Sequence, residues 1–212
     1  MQVRRLVWMA WHTITLAVCP LVVEDLSAAP GRGVPVCVAA SERLTLDDRE
    51  LRLALAEAAA IWEPAGVALR PGRTADDGCE RLVMLRADVE ATALEQSHDA
   101  ALGWVPFAEG RTRWVVFLRL DRIRMLTATL SPGPKPEGLT RLFFTKLLGR
   151  TLAHELGHVL MNSRRHETAG LMRQRLNASD VLRESVRAYT LTSAERVQLI
   201  TQLSGSARRA AR

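Results

Sequence analysis

Apolar and polar positions along the chain change period several times, and each change marks an element. Residues 6–23 are mostly apolar and carry no charged side chain other than His12, after a basic start at Arg4 and Arg5. Residues 34–40 form a short apolar run of strand length. Leu46-Asp47-Asp48 then supplies an N-cap and first-turn acids, and Leu51, Leu55, Ala58, Ala59 and Trp62 recur at helical spacing through 49–62. Pro64 and Gly66 end that helix. Stretches 67–70 and 81–86 read as strands, separated by a turn-rich segment over 71–78. Residues 102–108 and 112–120 read as two more strands, joined as a hairpin by Glu109-Gly110-Arg111. The three prolines of 131–138 require a loop. A long helical pattern follows over 139–162, and a last helix is expected over 193–203.

Strand, helix, several strands and then helices, with no internal repeat, predict a single α/β (α+β) domain. The expected division is a leader over 1–29, a folded domain over 30–204 and a basic flexible tail over 205–212. A length of 212 residues agrees with one domain. With 48% hydrophobic and 25% charged residues, disorder and fibre are excluded.

The net charge of +6 is carried almost wholly by arginines interspersed with acids. Only the C-terminal Arg208-Arg209-Ala210-Ala211-Arg212 is a basic cluster, so no nucleic-acid partner is expected. The leader, followed by Ser27-Ala28-Ala29, has the layout of a secretory signal peptide, which predicts a secreted or periplasmic protein. Left uncleaved, it would be a membrane anchor; once cleaved, no stable membrane insertion is expected. Three cysteines are too few for a disulfide scaffold. In an oxidising compartment, Cys37 and Cys79 are the candidates for one bridge.

His154-Glu155-Leu156-Gly157-His158 lies inside the long helical pattern. Four residues turn a helix by about 400°, so both imidazoles point the same way and can grip one metal ion. Glu155 stands beside them, placed to act on a metal-held water without being a ligand. Zinc lowers the pKa of such a water from about 15.7 to about 7, within reach of a carboxylate base. Leu148, Leu152, Leu156 and Leu160 form an apolar ridge, and Ala153 and Gly157 leave a groove for close packing. These residues predict a catalytic Glu155 and the metal ligands His154 and His158.

Beyond the helix come Asn162-Ser163-Arg164-Arg165, then His166, then Gly170-Leu171-Met172. Here the chain resembles the metzincin clan of zinc peptidases, in its matrixin-like form. The resemblance is sharp over 150–172 and extends in element order over about 34–203. It implies a zincin-like domain: a twisted mixed sheet with an N-terminal helix, an HExxH active-site helix and a smaller C-terminal helical part. It also implies Zn²⁺ held by His154, His158 and His166, a Met-turn methionine at Met172, and a peptide substrate extended along an edge strand, here 102–108. The chain departs from the clan pattern after His158. Met161 and Arg164 occupy the positions of the clan's glycine and third histidine, and His166 comes two residues late. Asn162 suits the left-handed helix exit that the glycine otherwise provides. Glu184, as in gluzincins, and Asp180, as in aspzincins, are the competing third ligands.

Tyr189 is either a structural tyrosine or a polariser of the scissile carbonyl. His12 and His98 are assigned no role. The expected function is an exported, monomeric zinc metalloendopeptidase acting on proteins or peptides. The alternatives are a zincin-fold protein without turnover and a zinc hydrolase of non-peptide amides. The intact Glu155 speaks against the first, and comparing peptides with small amides separates the second.

Overall fold

The computed structural model describes residues 34–40, 46–72, 82–87, 101–129, 136–175 and 185–210. The leader, Cys79, His98, Asp180 and Glu184 lie outside these residues, as does most of the proline loop.

β1 (Val34–Ala40) leads to α1 (Asp48–Trp62), a single 3₁₀ turn and β2 (Val67–Pro71). The α1 start follows the local chemistry: the Asp47 carboxylate accepts a hydrogen bond from the Glu50 N–H, capping an otherwise unpaired donor. Ala54, Leu55, Ala58, Ile61 and Trp62 give α1 one buried stripe. β3 (Leu82–Ala87), β4 (Gly103–Trp104), β5 (Phe107–Ala108), β6 (Arg111–Thr112) and β7 (Val115–Leu118) follow. The main sheet has the order β2-β1-β3-β7-β4. Its first three pairings are parallel, and β4 is an antiparallel edge strand on β7, with Gly103 opposite Leu118 and Trp104 opposite Phe117. The sheet is therefore mixed, as expected.

The predicted hairpin is present, but its strands are broken. β4 and β5 are separated by Val105-Pro106, and β5 pairs with β6 in a two-stranded ribbon of its own. Pro106 has no N–H to give a ladder, so a continuous strand over 102–108 is interrupted there. The hairpin turn has positive φ at Glu109 (52°) and Gly110 (74°), the twist that two-residue hairpins favour.

The strand expected to run to Leu120 ends at Leu118, and α2 (Leu120–Thr129) begins instead. Its buried residues, Leu120, Ile123 and Thr127, follow helical spacing, but only one is strongly apolar beyond the strand end. α3 (Glu137–Met161) is the centre of the molecule, buried from Phe144 to Met161 with the one exception of Lys146. A helix buried on every side is a core element, and here α1, α2, the sheet and α4 (Ser193–Ala210) surround it. α4 extends into the stretch expected to be a flexible tail, because Ala207 and the arginines beside it are good helix formers.

The tightest packing is between α1 and α3. A Cβ on Gly149 would stand 2.6 Å from the Ala54 carbonyl oxygen and 2.7 Å from Glu57 Cβ. The Trp62 indole N–H donates to the Ala153 carbonyl across 3.1 Å, pinning the end of α1 beside the HExxH segment. Among the described residues no helix is long and apolar enough to cross a membrane.

Candidate metal centre

His154 and His158 leave α3 on one face, as their spacing requires, and their outer nitrogens fix how they point. The Nδ1 of His154 lies 2.9 Å from the Leu171 carbonyl oxygen, and that of His158 lies 2.7 Å from the Ser163 carbonyl oxygen. A carbonyl only accepts, so each Nδ1 carries the proton and each Nε2 presents its lone pair inward. The two Nε2 atoms are 3.2 Å apart. Two nitrogens bound at zinc distance to one tetrahedral ion are separated by about 3.3 Å. The pair fits the metal that its spacing suggested.

α3 ends at Asn162, whose φ of 48° and ψ of 50° are left-handed. The Ser163 N–H then bonds back to the His158 carbonyl oxygen, and the chain turns toward His166. The His166 ring lies 5.2 Å from that of His154 and 4.9 Å from that of His158. One donor atom from each of the three lies within 4.8 Å of the others. The late spacing of His166 therefore does not keep it from the site. A longer exit turn still brings it back, with Asn162, one residue beyond Met161, taking the left-handed conformation.

The asparagine does something glycine cannot. Its side-chain oxygen accepts the Thr112 N–H at 2.8 Å, and the Thr112 hydroxyl donates to the Val159 carbonyl at 3.3 Å. The β5–β6 hairpin is thereby tied to the end of the metal helix.

Burial pushes the imidazoles toward the neutral, ligand form. His154 is lowered to about 3 by burial, with the neighbouring His158 adding to it, and His158 is lowered to about 4 by burial. His166, more open, is lowered by the same cause. Glu155 is raised to about 8 by burial alone. Edge strand β4 passes directly over Glu155: a Cβ on Gly103 would stand 2.9 Å from Glu155 Cγ and 3.2 Å from its Oε1. Only glycine allows that approach.

Met172 is 1% exposed and packs against α3 at Gly157, where any Cβ would collide with its sulfur. The groove read from Ala153 and Gly157 is thus filled by the residue expected to floor the site. Gly170 (φ 74°) turns the chain here, and the Leu171 N–H bonds to the Thr190 carbonyl oxygen. Leu171 is therefore held while its own carbonyl holds His154.

Tyr189 is fully buried and takes the structural role. Its hydroxyl accepts from Arg150 at 3.1 Å, and its ring lies between the guanidiniums of Arg150 and Arg173. Arg150 is itself buried and paired to Glu57 at 2.8 Å. The sequence carried no signal for this cluster beyond an arginine inside an apolar helix. Cys37 is disulfide-bonded, and Cys79, its expected partner, lies outside the described residues.

No protein-family model matches the chain, and no curated protein matches it at a significant level. Among solved structures it is similar to archaemetzincin from Methanopyrus kandleri, with a TM-score of 0.40 and 14% identity. That alignment covers 84% of this chain and 99% of the archaemetzincin chain.

Proposed function

We propose that the protein is a zinc-dependent metalloendopeptidase of metzincin-like type. One observation carries the reading: three neutral imidazoles converge within 4.8 Å, with the buried Glu155 following the first of them in sequence. The donor set fits zinc in type and number, and the His154–His158 pair fits it in spacing. His154, His158 and His166 would hold the ion, whose chemistry is to polarise the scissile carbonyl and acidify a water.

The chain's own groups do the rest. Glu155 would take a proton from the attacking water as the C–O bond forms at the carbonyl carbon, and then pass it to the amine nitrogen as the C–N bond breaks. The Leu171 and Ser163 carbonyls keep both helix imidazoles in one tautomer and orientation. Met172 fills the floor and keeps water from it.

β4 pairs with β7, and among the described residues no strand covers its other edge, where an extended peptide could join. Gly103 of that strand packs on Glu155, so a peptide joined there would lie close to the base. The disulfide at Cys37 supports export to an oxidising compartment, in line with the leader.

The test is a peptide-library digest by the zinc-loaded protein beside its Glu155→Gln variant, with zinc content measured in both. Activity should fall by about 10²- to 10⁴-fold while zinc stays bound. A variant that digests peptides as fast as the parent would remove the mechanism. A parent that cleaves small amides and no peptide would make it a different hydrolase.

A further inference from the structure

Alternation along β3 and β7 puts Leu85, Val116 and Leu118 in the core, and Arg86, Val115 and Phe117 on the opposite face. On that face is a pocket of about 300 Å³ lined chiefly by Arg86, Trp104, Pro106, Phe107, Arg113 and Phe117. Its wall is ordered: Trp104 and Phe117, cross-strand partners, stack at 4.1 Å with their planes 3° apart. Among the described residues its charge is of one sign: Arg86 and Arg113 are both exposed, no acid lines the pocket, and no carboxylate pairs with either.

The pocket lies on elements that also reach the metal centre. Trp104 follows Gly103, which lies on Glu155. Phe107 carries the Arg164 guanidinium 4.5 Å from its ring, two residues before His166.

A peptide joined to the other edge of β4 would send alternate side chains to the two faces of the sheet. Those on one face pass over Glu155, and those on the other lie beside Trp104. We infer that this pocket is a substrate subsite for an acidic side chain, so that the enzyme prefers peptides with aspartate or glutamate next to the cleaved region. Guanidinium groups bind carboxylates through two parallel hydrogen bonds, and the aromatic wall shields them from water on one side. An apolar side chain would gain no charge-assisted hydrogen bond there, and a basic one would meet like charge. The inference rests on the peptidase reading for how the peptide lies, but its test does not need turnover.

Labelled peptides identical except for Glu, Gln or Lys at one position, scanned along the sequence, are titrated by fluorescence anisotropy against zinc-loaded Glu155→Gln protein. The same peptides are digested by the parent. At one position the glutamate peptide should bind and cleave roughly tenfold better than the glutamine peptide, and the advantage should shrink in high salt. Arg113→Ala and Arg86→Ala should each reduce the preference, and Arg113→Glu should shift it toward lysine. Preferential binding without cleavage supports the pocket and sinks the peptidase reading. Cleavage without preference does the reverse. Equal binding of the three peptides at every position, no binding at all, or a preference unmoved in all the arginine variants overturns the inference.

Discussion

Replacing Gly149 with alanine adds one methyl group at the point where α1 and α3 press closest. That methyl would stand 2.6 Å from the Ala54 carbonyl oxygen, 2.7 Å from Glu57 Cβ and 3.0 Å from Glu57 Cγ. Carbon atoms pack at roughly 3.5–4.0 Å, so the overlap is on the order of 1 Å. Neither main obstacle can rotate away, since one is backbone and the other is a Cβ fixed to it. The helices must separate or tilt. In favour of the variant are about 1 kcal/mol of helix propensity and about 0.8 kcal/mol for a buried methyl. Against it are about 1–3 kcal/mol of overpacking. To this is added the loosening of the Arg150–Glu57 pair, in which Arg150 is buried and Glu57 partly exposed, so that its full loss would cost at most about 3–5 kcal/mol. The clash wins, with a net loss of about 2 kcal/mol, or a fall in Tm of roughly 4–8 °C for a domain of this size. Gly138, near the start of the same helix, is the control, because a Cβ there meets nothing within 4 Å. Gly138→Ala should leave the protein as stable or up to about 1 kcal/mol more stable. Urea denaturation of parent and both variants, with metal removed, measures the difference. If Gly149→Ala matches or exceeds the parent while Gly138→Ala behaves as stated, the close helix crossing is refuted.

His166→Ala should weaken zinc binding by more than the roughly 10–100-fold typical of a lost outer-shell partner, whereas Glu184→Ala should leave metal content unchanged. Chelator competition measures both, and the reverse pattern would make Glu184 the third ligand. Gly157→Ala pushes on the flexible tip of Met172 rather than on backbone, so the protein should still fold, with a loss of about 1–3 kcal/mol in the melting curve. In metal-free protein the burial of Glu155 raises its pKa from 4.5 to about 8, so the unfolded chain gives up that proton first and stability is lost as pH rises across this window. The stability of Glu155→Gln relative to the parent should accordingly grow from pH 4.5 to about 8 and then level off, and a difference independent of pH would contradict a buried, unpaired carboxyl. The Asp47 carboxylate is lowered chiefly by the Glu50 N–H it caps, so its contribution is present above the usual carboxylate pKa and lost in acid. Asp47→Ala should lower the Tm at neutral pH and flatten the acid limb, as differential scanning calorimetry would show.

Features governed by local repeat were legible in the sequence. The period of a helix alone puts His154 and His158 on one face, and the apolar ridge from Leu148 to Leu160 required that helix to be buried. An N-cap at Asp47 and a stop at Pro64 and Gly66 bounded α1 nearly to the residue, because caps act within a single turn. Even the exit after the second histidine could be read, since Asn162 is among the few residues that accept positive φ. Other features depend on which distant segments meet, and spacing along a chain does not encode that. His166 is separated from His158 by an irregular turn, and only the folded path of 163–166 returns it to the other two imidazoles. α2 was hidden because its buried stripe is short and follows directly on a strand, so the change of period is visible only once Leu120 and Ile123 have a core to face. Gly103 resembles any loop glycine until β4 is laid on Glu155, and Arg150 resembles any surface arginine until Glu57 and Tyr189 close around it. Local conformational preference wrote the helix that offers two imidazoles; long-range packing supplied the third, buried the carboxylate and set the arginines of the outer pocket beside strand β4.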